Sequence, residues 1–188
     1  MQRRIVFCGA PQVGKTTLLA AVLASQHALP LKAHATATER LVRGDVACPP
    51  YHFTLITISG SFWYDHTPVM NWLLPGIHGV IYVGAPIPYN AVSQWGTDAP
   101  AQEWARQYRF WEYYTAHAAA ASALWTNIPW IFVLNKGDVG TEYPLLEWMP
   151  QTQLTSVVRS IASSGEGIGR LWERMRVLYG VGKEPGLG

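Results

Sequence analysis

The sequence predicts an α/β fold with a mostly parallel sheet. Three observations carry that expectation. Short apolar runs of strand length alternate with amphipathic helical patterns along the chain, the pattern of βα units. A glycine-rich loop joins the first run to the first helix. Distinctive polar loops follow the ends of several runs, where ligands sit in sheets of this kind.

In chain order, residues 4–8 (RIVFC) read as a buried strand. Residues 9–14 form a loop. A helix follows from Lys15 to about His27, with Leu18, Leu19, Val22 and Leu23 on one face. Pro30 ends it at the latest. Residues 31–38 are small, polar and irregular. Residues 39–47 and 52–58 read as two strands around Cys48-Pro49-Pro50. Residues 59–68 are a loop crowded with aromatics, and 69–74 a short helix closed by Pro75-Gly76. Residues 79–85 (GVIYVGA) are a strong buried strand, followed by a Pro-, Asn- and Gly-bearing connection to residue 100.

The spacing then predicts a long helix over 101–125. Trp104, Tyr108, Trp111, Thr115, Ala118, Ser122 and Trp125 step by three and four along one face. Residues 130–134 are another buried strand. Residues 139–153 carry little pattern, and 154–162 read as a final strand. Residues 168–179 are an amphipathic helix, with Ile168, Leu171, Trp172, Met175, Leu178 and Tyr179 on one face. The glycine-rich residues 181–188 read as a loose tail after a domain spanning 1–180.

Composition narrows the class. The chain has 188 residues, enough for one domain with a real core. Hydrophobic residues make up 49% and charged residues 14%, against about 25% charged in ordinary domains; disorder and coiled coil are excluded. A net charge of +2 leaves no nucleic-acid footprint. Cys8 and Cys48 make neither a disulfide framework nor a zinc spacing, which fits a reducing cytoplasm. The nine tryptophans are scattered, as core fillers are. The basic start before an apolar stretch resembles a signal peptide, but Gly14-Lys15-Thr16-Thr17 interrupts it. No run reaches about 18 apolar residues, and no prenylation or myristoylation site is expected.

Gly9-Ala10-Pro11-Gln12-Val13-Gly14-Lys15-Thr16 fits GxxxxGK(S/T) between a buried strand and a helix, the context a phosphate-binding loop demands. Its backbone N–H groups converge on phosphate oxygens, and the helix N-terminus adds a favourable dipole. Lys15 is expected between the β- and γ-phosphates, and the Thr16 hydroxyl on Mg²⁺.

Asn135-Lys136-Gly137-Asp138 follows the strand 130–134 and fits NKxD. A carboxylate at Asp138 can accept both the N1–H and the 2-amino group of guanine. Adenine offers no such donor pair, and a mismatched polar group discriminates strongly. Ser160-Ile161-Ala162-Ser163-Ser164-Gly165-Glu166-Gly167 then looks like the SAxxGxG segment whose backbone reads the guanine O6, with Ala162 at the small position and Ser163 beside it.

Together these segments resemble the Ras-like small GTPase superfamily over about residues 3–180. The resemblance implies a P-loop NTPase fold of three layers with a six-stranded sheet, GTP or GDP with Mg²⁺, and two switch loops. It places nucleotide contacts at Gly9, Gln12, Val13, Gly14, Lys15, Thr16, Thr17, Gly60, Asn135, Lys136, Asp138, Ala162 and Ser163. Two positions depart from the pattern. The DxxG motif of switch II reads Thr57-Ile58-Ser59-Gly60, and Ser61 stands where a water-positioning Gln is usual.

A TxxG motif here is similar to the bacterial MglA-like GTPases of cell polarity and gliding motility. His34-Ala35-Thr36-Ala37-Thr38-Glu39-Arg40 resembles their ATxxER switch I stretch, and Trp63-Tyr64 their paired aromatics. Residues 76–83 resemble their next strand. The resemblance makes Thr36, or the neighbouring Thr38, the switch I threonine that meets the metal. It makes Arg40 a candidate cis arginine, so that Lys15, Thr36 and Arg40 are the expected catalytic set. It implies a small roadblock-fold regulator, for which Phe62-Trp63-Tyr64 is a candidate docking surface.

Three functions compete at this point. The first is a GTP-dependent switch with slow hydrolysis, because Ser61 leaves nothing obvious to orient the attacking water. The second is a guanine-nucleotide-binding scaffold that hardly turns over, which Thr57 and Ser61 favour. The third is a P-loop kinase or ATPase acting on a small molecule, against which Asn135-Lys136-Gly137-Asp138 argues.

Overall fold

The computed structural model describes residues 1–27, 41–58, 76–120, 128–149 and 157–180. They contain β1 (Gln2–Cys8), α1 (Lys15–Ser25), β2 (Leu41–Cys48), β3 (Tyr51–Ile58), β4 (Ile77–Gly84), α2 (Ala91–Trp95) and α3 (Ala99–Ala120). Then come β5 (Trp130–Leu134), α4 (Leu145–Trp148), β6 (Val157–Arg159) and α5 (Ile168–Met175). The strands form a six-stranded sheet in the order β2-β3-β1-β4-β5-β6. Only β2 runs antiparallel, as the hairpin partner of β3. The expected α/β fold with its mostly parallel sheet is what forms.

Both sheet faces are covered, which is why the central strands are continuous apolar runs rather than alternating ones. Ile5, Phe7, Val80, Ile81, Ile131 and Val133 are almost fully buried. On one face, α1 packs Leu23 against Gly44; a Cβ there would lie 2.2 Å from Leu23 Cδ1. On that face too, Trp172 of α5 meets Phe53 edge-on at 5.7 Å. On the other face, Trp111 of α3 sets its ring edge to face with Tyr82 at 5.2 Å and reaches Phe132. A parallel sheet with its first βα loop at the centre of the strand order puts the phosphate loop at the carboxyl edge, beside the ends of β4 and β5.

The structure revises several elements. Of the expected final strand 154–162, Val157–Arg159 forms and ends there, because Ser160 and Ala162 turn to hydrogen-bond Asn135; residues 154–156 lie outside the described residues. The last helix is α-helical only to Met175 and continues as a π turn, Arg176–Gly180. That turn brings the Tyr179 hydroxyl onto the Val80 carbonyl at 2.8 Å. β4 begins at Ile77, and α3 begins at Ala99 rather than 101. The patternless stretches hold α2 and α4, helices of five and four residues. These are too short to show a helical period. The expected helix at 69–74 and the tail 181–188 lie outside the described residues.

The tryptophan reading divides along α3. Trp111 is in the core, whereas Trp104 stacks on Tyr108 at 5.0 Å and meets Trp148 edge-on at 4.9 Å in a half-buried cluster. Trp95 of α2 is 63% exposed and fills no core.

Candidate functional site

The phosphate loop runs from the end of β1 at Cys8 to the start of α1 at Lys15. Its conformation demands its glycines. Gly9 has φ 133°, and a Cβ there would sit 2.2 Å from the Val83 carbonyl oxygen; Gly14 has φ 90°. Neither position accepts an L side chain without strain. Gln12 also adopts a left-handed φ of 63°.

The loop carbonyls are tied back one after another. Lys15 Nζ donates to Gly9 O at 3.0 Å and to Ala10 O at 2.7 Å. Arg106 Nη1 donates to Pro11 O. Lys136 Nζ donates to Gln12 O at 2.6 Å, and Asn135 Nδ2 to Val13 O at 3.0 Å. Gly14 O accepts from Leu18 N, the first bond of α1. Backbone N–H groups freed from carbonyl competition in such a concave turn form an anion nest, and the α1 N-terminus adds its dipole.

Lys15 is 5% exposed, and no carboxylate among the described residues accepts from it. Burial draws its pKa down to about 7, and the nearby Arg106 guanidinium adds to the effect. Among the described residues this buried ammonium has only two neutral carbonyls as acceptors and no counter-ion, a setting that favours an incoming anion.

The second loop follows β5. Asn135 is buried, and its side chain is used on both sides. Its amide holds Val13, while Oδ1 accepts from Ser160 Oγ at 3.2 Å and from Ala162 N at 3.1 Å. One residue thus locks three loops together. A Cβ on Gly14 would lie 2.5 Å from Asn135 Nδ2, so the close approach needs glycine. Lys136 has a left-handed φ of 62°, which sends its side chain back across the phosphate loop. Gly167 opens α5 with φ 76°, where a Cβ would sit 2.1 Å from Arg159 O. Between the loops lies a cavity of about 210 Å³, lined by Gly14, Thr17, Asn135, Lys136, Asp138, Val139, Ala162 and Ser163. Of these, Val139 is the one that the motifs did not announce.

Thr16 stands in the first turn of α1. Thr57 stands one residue before the end of β3, beside Phe7, on the face that α1 covers. Its hydroxyl is buried and has no hydrogen-bond partner among the described residues. Among the described residues there is no cluster of three or more His, Cys, Asp or Glu that could hold a metal ion. Two neutral hydroxyls suit a hard cation that arrives on phosphate oxygens and keeps its waters. They do not make a resident metal site.

The structure therefore brings together Gly9, Gln12, Val13, Gly14, Lys15, Thr16 and Thr17 with Asn135, Lys136, Asp138, Ala162 and Ser163. Thr36, Thr38, Arg40, Gly60, Ser61 and the Phe62-Trp63-Tyr64 stretch lie outside the described residues. Sequence reasoning missed Arg106 and its supports, Glu103 and Gln107. The available signal was a Glu and an Arg three apart on a predicted helix, in a chain with few charges.

No protein-family model matches the chain, and no curated protein matches it. Among solved structures, the chain is similar to the G domain of the T. maritima FeoB iron transporter. The two share 19% identity and a TM-score of 0.54 over 96% of this chain and 99% of that one. The likeness shows the fold: this chain has the α/β fold of a P-loop GTPase G domain. No helix among the described residues is long and apolar enough to cross a membrane.

Proposed function

We propose that the chain binds guanine nucleotides and works as a GTP-dependent switch with slow hydrolysis, of the MglA-like kind, signalling through a partner protein. The observation that carries this reading is the seating of the Asn135–Asp138 loop on the phosphate loop. One cavity then has phosphate donors at one end and the exposed Asp138 carboxylate at the other. A carboxylate at the base end would select guanine through its two adjacent donors.

In this mechanism the loop N–H groups and Lys15 bind the phosphates, and Lys15 regains its full charge as they enter. Mg²⁺, when bound, offsets charge on the β- and γ-phosphates. Thr16 and the switch threonine Thr36 would hold it. Arg40 would lie against the leaving phosphates. Ser61 has no carboxamide to orient a water, so turnover without a partner is slow. A small roadblock-fold regulator, docked at Phe62-Trp63-Tyr64, would supply or stabilise the missing geometry. Thr57 and Ser61 equally favour a second reading, a nucleotide-binding scaffold that barely hydrolyses. Partner-stimulated turnover separates the two. The test of the shared claim is Mg²⁺-dependent titration with GTP, GDP and ATP.

A further inference from the structure

Five side-chain contacts hold the phosphate-loop carbonyls from Gly9 to Val13, and four come from Lys15, Lys136 and Asn135, all within the two nucleotide motifs. The fifth does not. Arg106 lies on α3, 95 residues from the Pro11 carbonyl that it holds. We infer that Arg106 is a positioning residue of the phosphate loop, fixing its outer arm so that the N–H groups of the nest face the nucleotide.

The contact is built rather than incidental. Gln107 is 2% exposed, and its carboxamide makes a two-point pair with the backbone of Ala85, just past β4: Nε2 donates to Ala85 O at 2.9 Å, and Oε1 accepts from Ala85 N at 3.3 Å. Gln107 Nε2 also donates to Glu103 Oε1 at 2.9 Å. Glu103 in turn accepts from Arg106 at both carboxylate oxygens, through Nε at 2.7 Å and through Nη2. The guanidinium is thus oriented by a chain of bonds that starts at the sheet, leaving Nη1 for Pro11. Pro11 has no N–H to give, so its carbonyl is its whole hydrogen-bonding capacity. The bidentate fork needs arginine; a lysine cannot meet Glu103 twice and Pro11 as well. The same guanidinium lies close enough to Lys15 to depress its pKa. The phosphates therefore enter a site with two cations near the outer arm, one of them partly neutralised by Glu103.

The geometry stands without a nucleotide, but its consequence rests on the proposed nucleotide site. Two measurements on the full chain separate them. The first is amide hydrogen exchange of Gln12, Val13 and Gly14 in the nucleotide-free protein, followed by NMR. Arg106→Ala should speed exchange there; unaltered exchange overturns the assignment, whatever the protein binds. The second is the dissociation rate and affinity of GDP and GTP for wild type, Arg106→Ala, Arg106→Lys and Glu103→Gln. Arg106→Ala should weaken both nucleotides equally, by roughly tenfold and through faster dissociation. Arg106→Lys should not restore binding, and Glu103→Gln should fall between. Unchanged affinities overturn the inference. A loss confined to GTP overturns it too, because it would make Arg106 a ligand of the γ-phosphate. Wild-type protein that binds neither nucleotide defeats the nucleotide reading, while the exchange of the Gln12–Gly14 amides still decides the clamp.

Discussion

The Asn135 carboxamide donates to the Val13 carbonyl at 3.0 Å, joining loops that stand 122 residues apart in the chain. The same side chain accepts from Ser160 and from the Ala162 backbone. Asn135→Ala therefore removes three bonds at a buried point and leaves the Val13 carbonyl without its donor. The expected loss is about 1–3 kcal/mol of stability, with at least a tenfold loss in guanine-nucleotide affinity. Denaturant unfolding and calorimetry on the variant check the two together.

Gly79 bears no chemistry, yet a Cβ there would lie 2.3–2.6 Å from three atoms of the Tyr179 ring. That ring cannot swing away, because it is buried and its hydroxyl is bonded to Val80 O. Overpacking of this kind costs about 1–3 kcal/mol. Gly79→Ala should lower the melting temperature by several degrees and leave nucleotide selectivity unchanged once the protein is folded. A variant as stable as wild type would mean that the π turn does not hold Tyr179 where it stands.

These two sites show what the sequence could and could not convey. The phosphate loop and the Asn135–Asp138 loop were legible because each is a local run with fixed spacing, placed just after a buried strand. The mostly parallel sheet was legible from the same alternation of apolar runs and helices. Gly79 could not be read in this way, since the partner that demands glycine there is 100 residues away. The π turn was hidden for a related reason: Ile168, Leu171, Trp172 and Met175 keep the helical period, and only the sheet contact of Tyr179 shows that the winding widens. Arg106 carries no local motif, and the Pro11 carbonyl that it holds is 95 residues away in the chain.

Lys15 gives a pH signature. Its ammonium has a pKa near 7 in the folded protein, against 10.5 as its ordinary value. The unfolded chain thus binds more protons between those values, and stability rises with pH from about 7 towards 10. Below about pH 7 the full cost of a buried ammonium is present. Lys15→Met should flatten that rise. Phosphates restore the charge, so GDP binding near pH 8 should take up part of a proton. Calorimetry in buffers of different ionisation enthalpy measures it; binding with no proton uptake would show that Lys15 is already fully charged.

Ser61 sets the expectation for turnover. Without a carboxamide to orient water, single-turnover GTP hydrolysis by the chain alone should be slow, on the scale of hours rather than minutes. Ser61→Gln should accelerate it if the surrounding switch can use the group. A wild-type rate matching that of efficient partner-stimulated GTPases would sink the slow-switch reading.

The central claim is that the cavity between the two loops takes a guanine nucleotide. Calorimetric titration of the purified chain with GTP, GDP and ATP, with and without Mg²⁺, tests it most directly. The account predicts micromolar or tighter binding of both guanine nucleotides, strengthened by Mg²⁺ for GTP, and no measurable heat with ATP. Equal binding of ATP and GTP, or no binding of either guanine nucleotide, would contradict it.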